Sequence, residues 1–317
     1  MEGRIIGVFG TDPASKSGFL GSVAKKSEAE GAIVLHHRVD AGVPYSFLDD
    51  VQFPERIQGY SRIASISDYA YYVVPKFGKI AAPDGELAIL LDALGVDGTM
   101  LYMDEPASGA SSFFKGLRLE RYSVESRSAQ SSVIDLSRVQ STGGPPKGAL
   151  VYIDRAFSVK GVGVVVLGFV LGGTVSVHDQ LRLIPGSDGK RAEVRGIQVH
   201  DVDHESVGRG IRVGLSLRGV ELKDLDKVSW MDDGTLQTAD KVPFDYRQSG
   251  FYKQGVDGRD MHLQLPGEVV NCKVKLDGSK ALASLPAASP VWDGMRVGLI
   301  DLNGKGLRVA GGGVCHL

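Results

Sequence analysis

Cysteine and tryptophan are scarce, with two of each in 317 residues. Cys272 and Cys315 stand in no metal-ligand spacing, and a single pair makes no disulfide framework. Long hydrophobic runs are missing as well. The longest, 162–170, is broken by glycines and falls far short of the ~20 residues that span a bilayer. The opening Met1-Glu2-Gly3-Arg4 lacks the charged-then-apolar order of a signal peptide. Neither sign of charge dominates: 36 basic and 38 acidic side chains leave a formal net charge of −2. No arginine-rich tail is present, which argues against strong non-specific nucleic-acid binding. These absences point to a cytoplasmic protein with no membrane and no DNA partner.

Glycine is the residue in excess, at 42 copies. Without a collagen-like period, that abundance indicates many turns and bulges, hence a β-rich chain. The first third alternates apolar runs with helix-like stretches. Strands are expected at 4–9, 32–35, 69–74 and 99–103, and helices at 17–30 and 83–94. The second helix has Pro83 at its start, acids in its first turn and Gly95 to stop it. Such alternation predicts a mostly parallel sheet covered by helices. A serine-rich stretch, 123–141, holds one short helix candidate at 133–139. Gly143-Gly144-Pro145-Pro146 then reads as a linker.

Beyond the linker the pattern becomes short β-branched runs at 150–153, 162–170, 181–184, 194–199 and 212–217. Turn clusters separate them, as in a barrel or sandwich. The last segment repeats this texture, with Asp277-Gly278 as a hairpin turn. The expected fold is a reduced, P-loop-like α/β domain (1–145) followed by two β-barrel domains (146–235 and 236–317).

Gly10-Thr11-Asp12-Pro13-Ala14-Ser15-Lys16-Ser17 has the spacing of a P-loop, between an expected strand and an expected helix. A P-loop turns successive backbone N–H groups onto phosphate, with a helix N-terminus behind them. Pro13 has no N–H to give. Ser15 stands where the motif has its second glycine. If a nucleotide is retained, Gly10, Ser15, Lys16 and Ser17 are its candidate ligands, with GTP and magnesium as the cofactors. If it is not, no cofactor is expected.

The segment 151–230 carries the strongest signal, in IDRAFSVKGVGVVV, GFVLGGTVSVHDQL and RGIQVHDVDHESVGRGIRVGLSLRGV. It resembles the second domain of elongation-factor-Tu-like translational GTPases, particularly SelB, the carrier of selenocysteinyl-tRNA. An archaeal SelB-like factor proposed to serve pyrrolysyl-tRNA is one member that the resemblance suggests. The stretch 292–314 resembles the closing strands of the family's third domain. The resemblance implies a partner among tRNA, aminoacyl-tRNA and the ribosome. It also implies that Asp154-Arg155 lie at the aminoacyl pocket, a role their acceptor and forked donors suit. As residues alone, they read first as a surface ion pair on the opening barrel strand. Arg209, Arg212 and Arg218, with Lys273, Lys275 and Lys280, are candidates for tRNA phosphate contacts.

Set against the family, the first domain lacks key motifs. The nearest D-x-x-G candidate, Asp40-Ala41-Gly42-Val43, is misplaced and has no following His. The N-K-x-D position holds Met103-Asp104-Glu105-Pro106, and no Asn–Lys pair occurs anywhere. The expectation is a pseudo-GTPase that binds tRNA or another translation component, with no catalytic residue. The alternative is a divergent, active GTPase that delivers a special aminoacyl-tRNA. His200, Asp201, Asp203, His204 and Glu205 read as a polar turn between barrel strands rather than as a metal site. His36-His37 reads as ordinary surface.

Overall fold

The computed structural model describes residues 1–30, 32–75, 80–104, 109–140, 146–186 and 189–317. The first domain is built on a seven-stranded sheet. Its strands are β1 (Arg4–Phe9), β2 (Lys25–Glu30), β3 (Ile33–Asp40), β4 (Val43–Asp50), β5 (Tyr69–Val73), β6 (Gly98–Met103) and β7 (Ser123–Arg127). They lie in the order β2-β3-β4-β1-β5-β6-β7. From β4 onward neighbours are parallel, while β2, β3 and β4 form an antiparallel meander at one edge. Buried on both faces, β1 and β5 read as near-continuous apolar runs. Among the described residues, three α-helices accompany the sheet: α1 (Pro13–Val23), α2 (Gln58–Ile66) and α3 (Ala82–Ala93).

Several sequence expectations need correction here. The first helix begins four residues earlier than expected, because Asp12 caps it and Pro13 takes its first turn. It ends at Val23, and the Lys/Glu/Ala-rich stretch that follows is an edge strand. There, pairing with β3 overrides helix propensity. Asp40-Ala41-Gly42-Val43 is the two-residue turn of the β3–β4 hairpin, with Ala41 and Gly42 at φ 46 and 81. The stretch 133–139 forms no helix, and runs as irregular chain with one turn. The expected linker glycines lie outside the described residues.

The second domain is a barrel of β8 (Leu150–Val159), β9 (Gly163–Gly172), β11 (Gln180–Ile184), β12 (Arg191–Val199), β15 (Arg212–Arg218) and β16 (Trp230–Asp232). The β11–β12 pairing closes the ring. Short strands β10 (Thr174–Ser176), β13 (Val202–His204) and β14 (Ser206–Gly208) lie outside it. The third domain is a closed six-stranded barrel in the order β17-β20-β19-β18-β21-β22. Its strands are β17 (Gln237–Gln248), β18 (Asp260–Leu265), β19 (Glu268–Asp277), β20 (Lys280–Val291), β21 (Arg296–Ile300) and β22 (Val309–Cys315).

The third barrel is packed onto helices of the first domain. One apolar core runs from Ile63, Leu87 and Leu91 through to Leu263, Val297 and Leu299. Polar pairs border it: Arg308 to Glu86 at 2.5 Å, Arg62 to Glu268 at 2.9 Å and Arg247 to Asp92 at 2.7 Å. Gly312 lies so close to α3 that a Cβ there would stand 2.2 Å from the carbonyl oxygen of Ala93. The second barrel joins the first domain through Arg209, whose guanidinium donates to buried Asp68 at 2.7 Å. Its Trp230 indole donates to the Pro266 carbonyl of the third barrel.

Candidate functional site

The crevice at the carboxyl ends of parallel strands is where an open α/β sheet places its ligand. Here that end is occupied by the chain's own groups. Because α1 starts at Pro13, the amide of Lys16 is already bonded to the Asp12 carbonyl inside the helix. The Asp12 carboxylate covers the helix N-terminus, accepting from the Ala14 amide and the Ser15 hydroxyl. A fixed anion therefore sits where the helix dipole favours negative charge.

Lys16 is buried and points beneath the loop. Its ammonium donates to Asp49 Oδ1 at 2.6 Å, to the Tyr60 hydroxyl at 2.5 Å and to the Asp50 carbonyl at 3.3 Å. Tyr60 in turn donates to Asp49 at 2.8 Å. Burial, with Asp49 beside it, pushes the Tyr60 phenol well above its ordinary value, so it stays protonated, accepting from Lys16 and donating to Asp49. Ser17 faces solvent on the outer side of α1. Gly10 follows β1 at φ 144, tight against the Val73 carbonyl. A second acid closes the neighbouring position. Buried Asp84, at the start of α3, accepts from Thr11 at 2.7 Å and from Tyr72 at 3.0 Å.

Asp49 is the residue that sequence reasoning missed. It is the penultimate residue of β4, the strand parallel to β1, and read as the Asp of a D-x-x-G motif it meets the lysine of the loop. The local sequence is Asp49-Asp50-Val51-Gln52-Phe53, with Gln and Phe at the positions of the motif's Gly and the following His. An acidic pair ending an apolar strand was the available signal. Asp50 is also buried. Its carboxyl is pushed up by burial, against the Gln52 amide that holds one oxygen.

Of the remaining candidates, three line a cleft of about 1770 Å³ between the first domain and the second barrel. Asp154 and Arg155 are both on its wall, and so is Arg212. Arg212 donates to Asp154 and lies over the Phe169 ring at 5.0 Å. Arg155 lies 5.9 Å from the centroid of Phe157. The wall contributed by the first domain carries Lys25, Lys26, Arg56 and Arg62. Six cationic side chains thus face three carboxylates, those of Asp154, Asp201 and Asp203. A chain with a net negative charge concentrates positive charge in this cleft, above an apolar floor that includes Leu35, Ile63, Tyr152 and Leu167.

The other proposed phosphate contacts lie elsewhere. Arg209 is held in the junction between domains by Asp68 and the Leu171 carbonyl. Arg218 is exposed at the far end of β15, opposite Glu193. Lys273 and Lys275 share the outer face of β19, and Lys280 opens β20 beside them. His36 and His37 are not ordinary surface. His36 is buried, and the His37 ring stacks on His200 of the second barrel at 4.1 Å. Among the described residues no cluster of three or more His, Cys, Asp or Glu is arranged to hold a metal ion. No helix among them is long and apolar enough to cross a membrane.

Comparison with known proteins places this architecture. Residues 163–228 match the family described as elongation factor Tu domain 2. Over its whole length the chain is 27% identical to a Methanocaldococcus jannaschii protein named uncharacterized protein MJ0325, covering 99% of both chains. A selenocysteine-specific elongation factor of the same organism is 38% identical over 91 residues, which is 28% of this chain and 19% of that one. A second such factor, from Desulfomicrobium baculatum, is 28% identical over 165 residues, 44% of this chain and 25% of its own. Among solved structures, SelB of Methanococcus maripaludis bound to a GTP analogue superposes with a TM-score of 0.81 at 19% identity. That match covers all of this chain and 79% of the other. A bacterial selenocysteine-specific factor gives 0.82 at 16% identity, over 99% of this chain and 58% of its own. The chain is SelB-like in fold from end to end, and its second domain is of the elongation factor Tu type.

Proposed function

We propose that this SelB-like chain is a translation protein that binds tRNA or aminoacyl-tRNA in its interdomain cleft and has lost GTP turnover. The observation that carries the reading is the engagement of Lys16 by Asp49 and Tyr60. A nucleotide and its magnesium need a lysine free to meet phosphate, a hydroxyl facing the metal and amides converging on oxygen. In this chain the lysine is neutralised internally, Ser17 faces solvent, and Asp12 repels an incoming phosphate from the helix end. The residues present do not fit the group, and no catalytic step follows from it.

The cleft supports the binding half of the proposal. Its positive lining suits a phosphate backbone, and its apolar floor suits an unstacked base or an esterified side chain. Asp154 and Arg155 would orient the ligand at the second barrel, with Arg212 held in place by Asp154. The exposed lysines of β19 and β20 would contact phosphates farther along an RNA.

Calorimetric titration with GTP, GDP and ATP in magnesium buffer, beside filter binding of charged and uncharged tRNA, tests both halves. Silence with every nucleotide and saturable, salt-dependent tRNA binding is the expected result. Micromolar, magnesium-dependent and guanine-selective binding would instead establish the alternative, an active GTPase that delivers a special aminoacyl-tRNA.

A further inference from the structure

The cleft is bounded by two kinds of contact between the first domain and the second barrel. On one side the chain's first residues run against β14 and β15. Gly3 donates to the Arg209 carbonyl at 2.9 Å, and Arg209 grips Asp68. The other contact is the stack of His37 on His200, and both rings line the cleft. His200 and Asp201 form the two-residue turn between β12 and β13, at φ 50 and 63. Neither residue is a glycine, so the backbone there is strained. That strain is held at the point where the second barrel touches the first domain.

We infer that His37 and His200 form a proton-operated latch on this cleft: neutral rings hold the two domains together, and protonation parts them. The stack is 4.1 Å between centroids with 31° between planes, a close, tilted contact of the two rings. Two imidazolium ions cannot keep that contact without strong repulsion. The surroundings of each ring add to the effect. On the first domain, Lys25 lies directly opposite His37 on β2, Lys26 opposite His36, and Ser46 beside His37 on β4. Ser27 Oγ hydrogen bonds His37 Nδ1 at 2.5 Å. Asp49 acts on His36 and not on the stacked pair. On the barrel, Asp201 is the one opposing charge that acts on His200, and Asp203 is tied to Gln198. Burial first holds both imidazoles below their ordinary value of 6.5, helped at His37 by Lys25 and at His200 by the His37 ring, against Asp201.

The sign follows from that direction. A ring whose pKa is lower in the closed state favours closure fully above pH 6.5. The contribution falls away as the pH drops through 6.5 toward the lower closed-state value. Opening at mildly acidic pH is therefore a property of this chain's own residues, whatever the cleft holds.

Spin labels on Val39→Cys and Lys160→Cys, exposed positions on opposite sides of the cleft, read the separation by pulsed dipolar spectroscopy. Cys272 and Cys315 are buried and stay unlabelled. Between pH 7.5 and pH 5.5 the closed-to-open ratio is expected to fall roughly tenfold or more, with far-UV circular dichroism unchanged. His37→Phe keeps a stacked ring but removes one proton site, and its pH response should shrink. His200→Asn, a residue tolerated in the left-handed turn, should be open at both pH values. A separation that does not change with pH overturns the latch. So does a His37→Phe variant that responds like the parent. The readout uses no RNA, so the latch and the proposed tRNA binding can fail separately.

Discussion

The ammonium of Lys16 and the carboxylate of Asp49 lie 2.6 Å apart, with side chains 6% and 10% exposed. A lysine in P-loop position and an aspartate at the end of the parallel neighbour strand satisfy one another, with Tyr60 as a shared partner. A buried pair of this kind adds little net stability against an apolar replacement, but removing one partner leaves the other charged and dry.

Lys16→Met should therefore act as a folding mutation. A loss of about 3–5 kcal/mol is expected from an unpaired buried carboxylate. Urea unfolding measures it, and adding Asp49→Asn to Lys16→Met should recover a large part. A lysine serving only a nucleotide would leave unfolding unchanged.

Small-angle scattering with GTP, with GDP and with neither should give superimposable profiles. The third barrel is joined to α2 and α3 by Arg308, Arg62 and Arg247 and by a shared apolar core, with no nucleotide in the linkage. A nucleotide-dependent change in radius would contradict this.

Gly312→Ala should loosen that junction. Its Cβ meets backbone rather than a flexible side chain, so β22 or α3 must shift. A cost of about 1–3 kcal/mol is typical of such overpacking. Proteolysis between the first domain and the third barrel should accelerate, while the native fold of the second barrel persists.

Cys272 and Cys315 should resist thiol reagents. Burial pushes both thiols up to about 12, so the reactive thiolate is scarce at pH 8. Ellman's reagent should count no thiol in the native protein and two after denaturation.

In the cleft, Arg212→Ala should weaken tRNA binding more than Lys275→Ala does. The first removes a positioned guanidinium and leaves Asp154 unpaired among the cations. The second removes one exposed phosphate contact and lowers the salt slope by about one. Equal losses would move the tRNA away from the cleft.

Much of the fold was legible because its signals are local. Strand β1 and helix α3 announce themselves by apolar runs, a proline start and a glycine stop, and the barrel strands by β-branched runs between turns. The edge strand β2 was not legible, because Lys, Glu and Ala favour helix and only pairing with β3 decides otherwise. The site divided in the same way. The damaged loop could be read from Pro13 and Ser15. Asp49 and Tyr60 could not be joined to Lys16, because 33 and 44 residues separate them and only the parallel sheet brings them together. His37 and His200 belong to different domains, and no spacing rule connects them.

The shared core of the first domain and the third barrel has one more consequence. A second cluster fills the inside of the second barrel, from Val151 to Met231, while six of that barrel's residues (Leu150, Tyr152, Phe169, Leu171, Ile184 and Trp230) join the shared core instead. In sequence that barrel lies between two domains, but in packing it interrupts a single one. Its neighbours on either side should melt together as one cooperative block. The second barrel should give its own calorimetric transition, as a guest domain inserted into a discontinuous host.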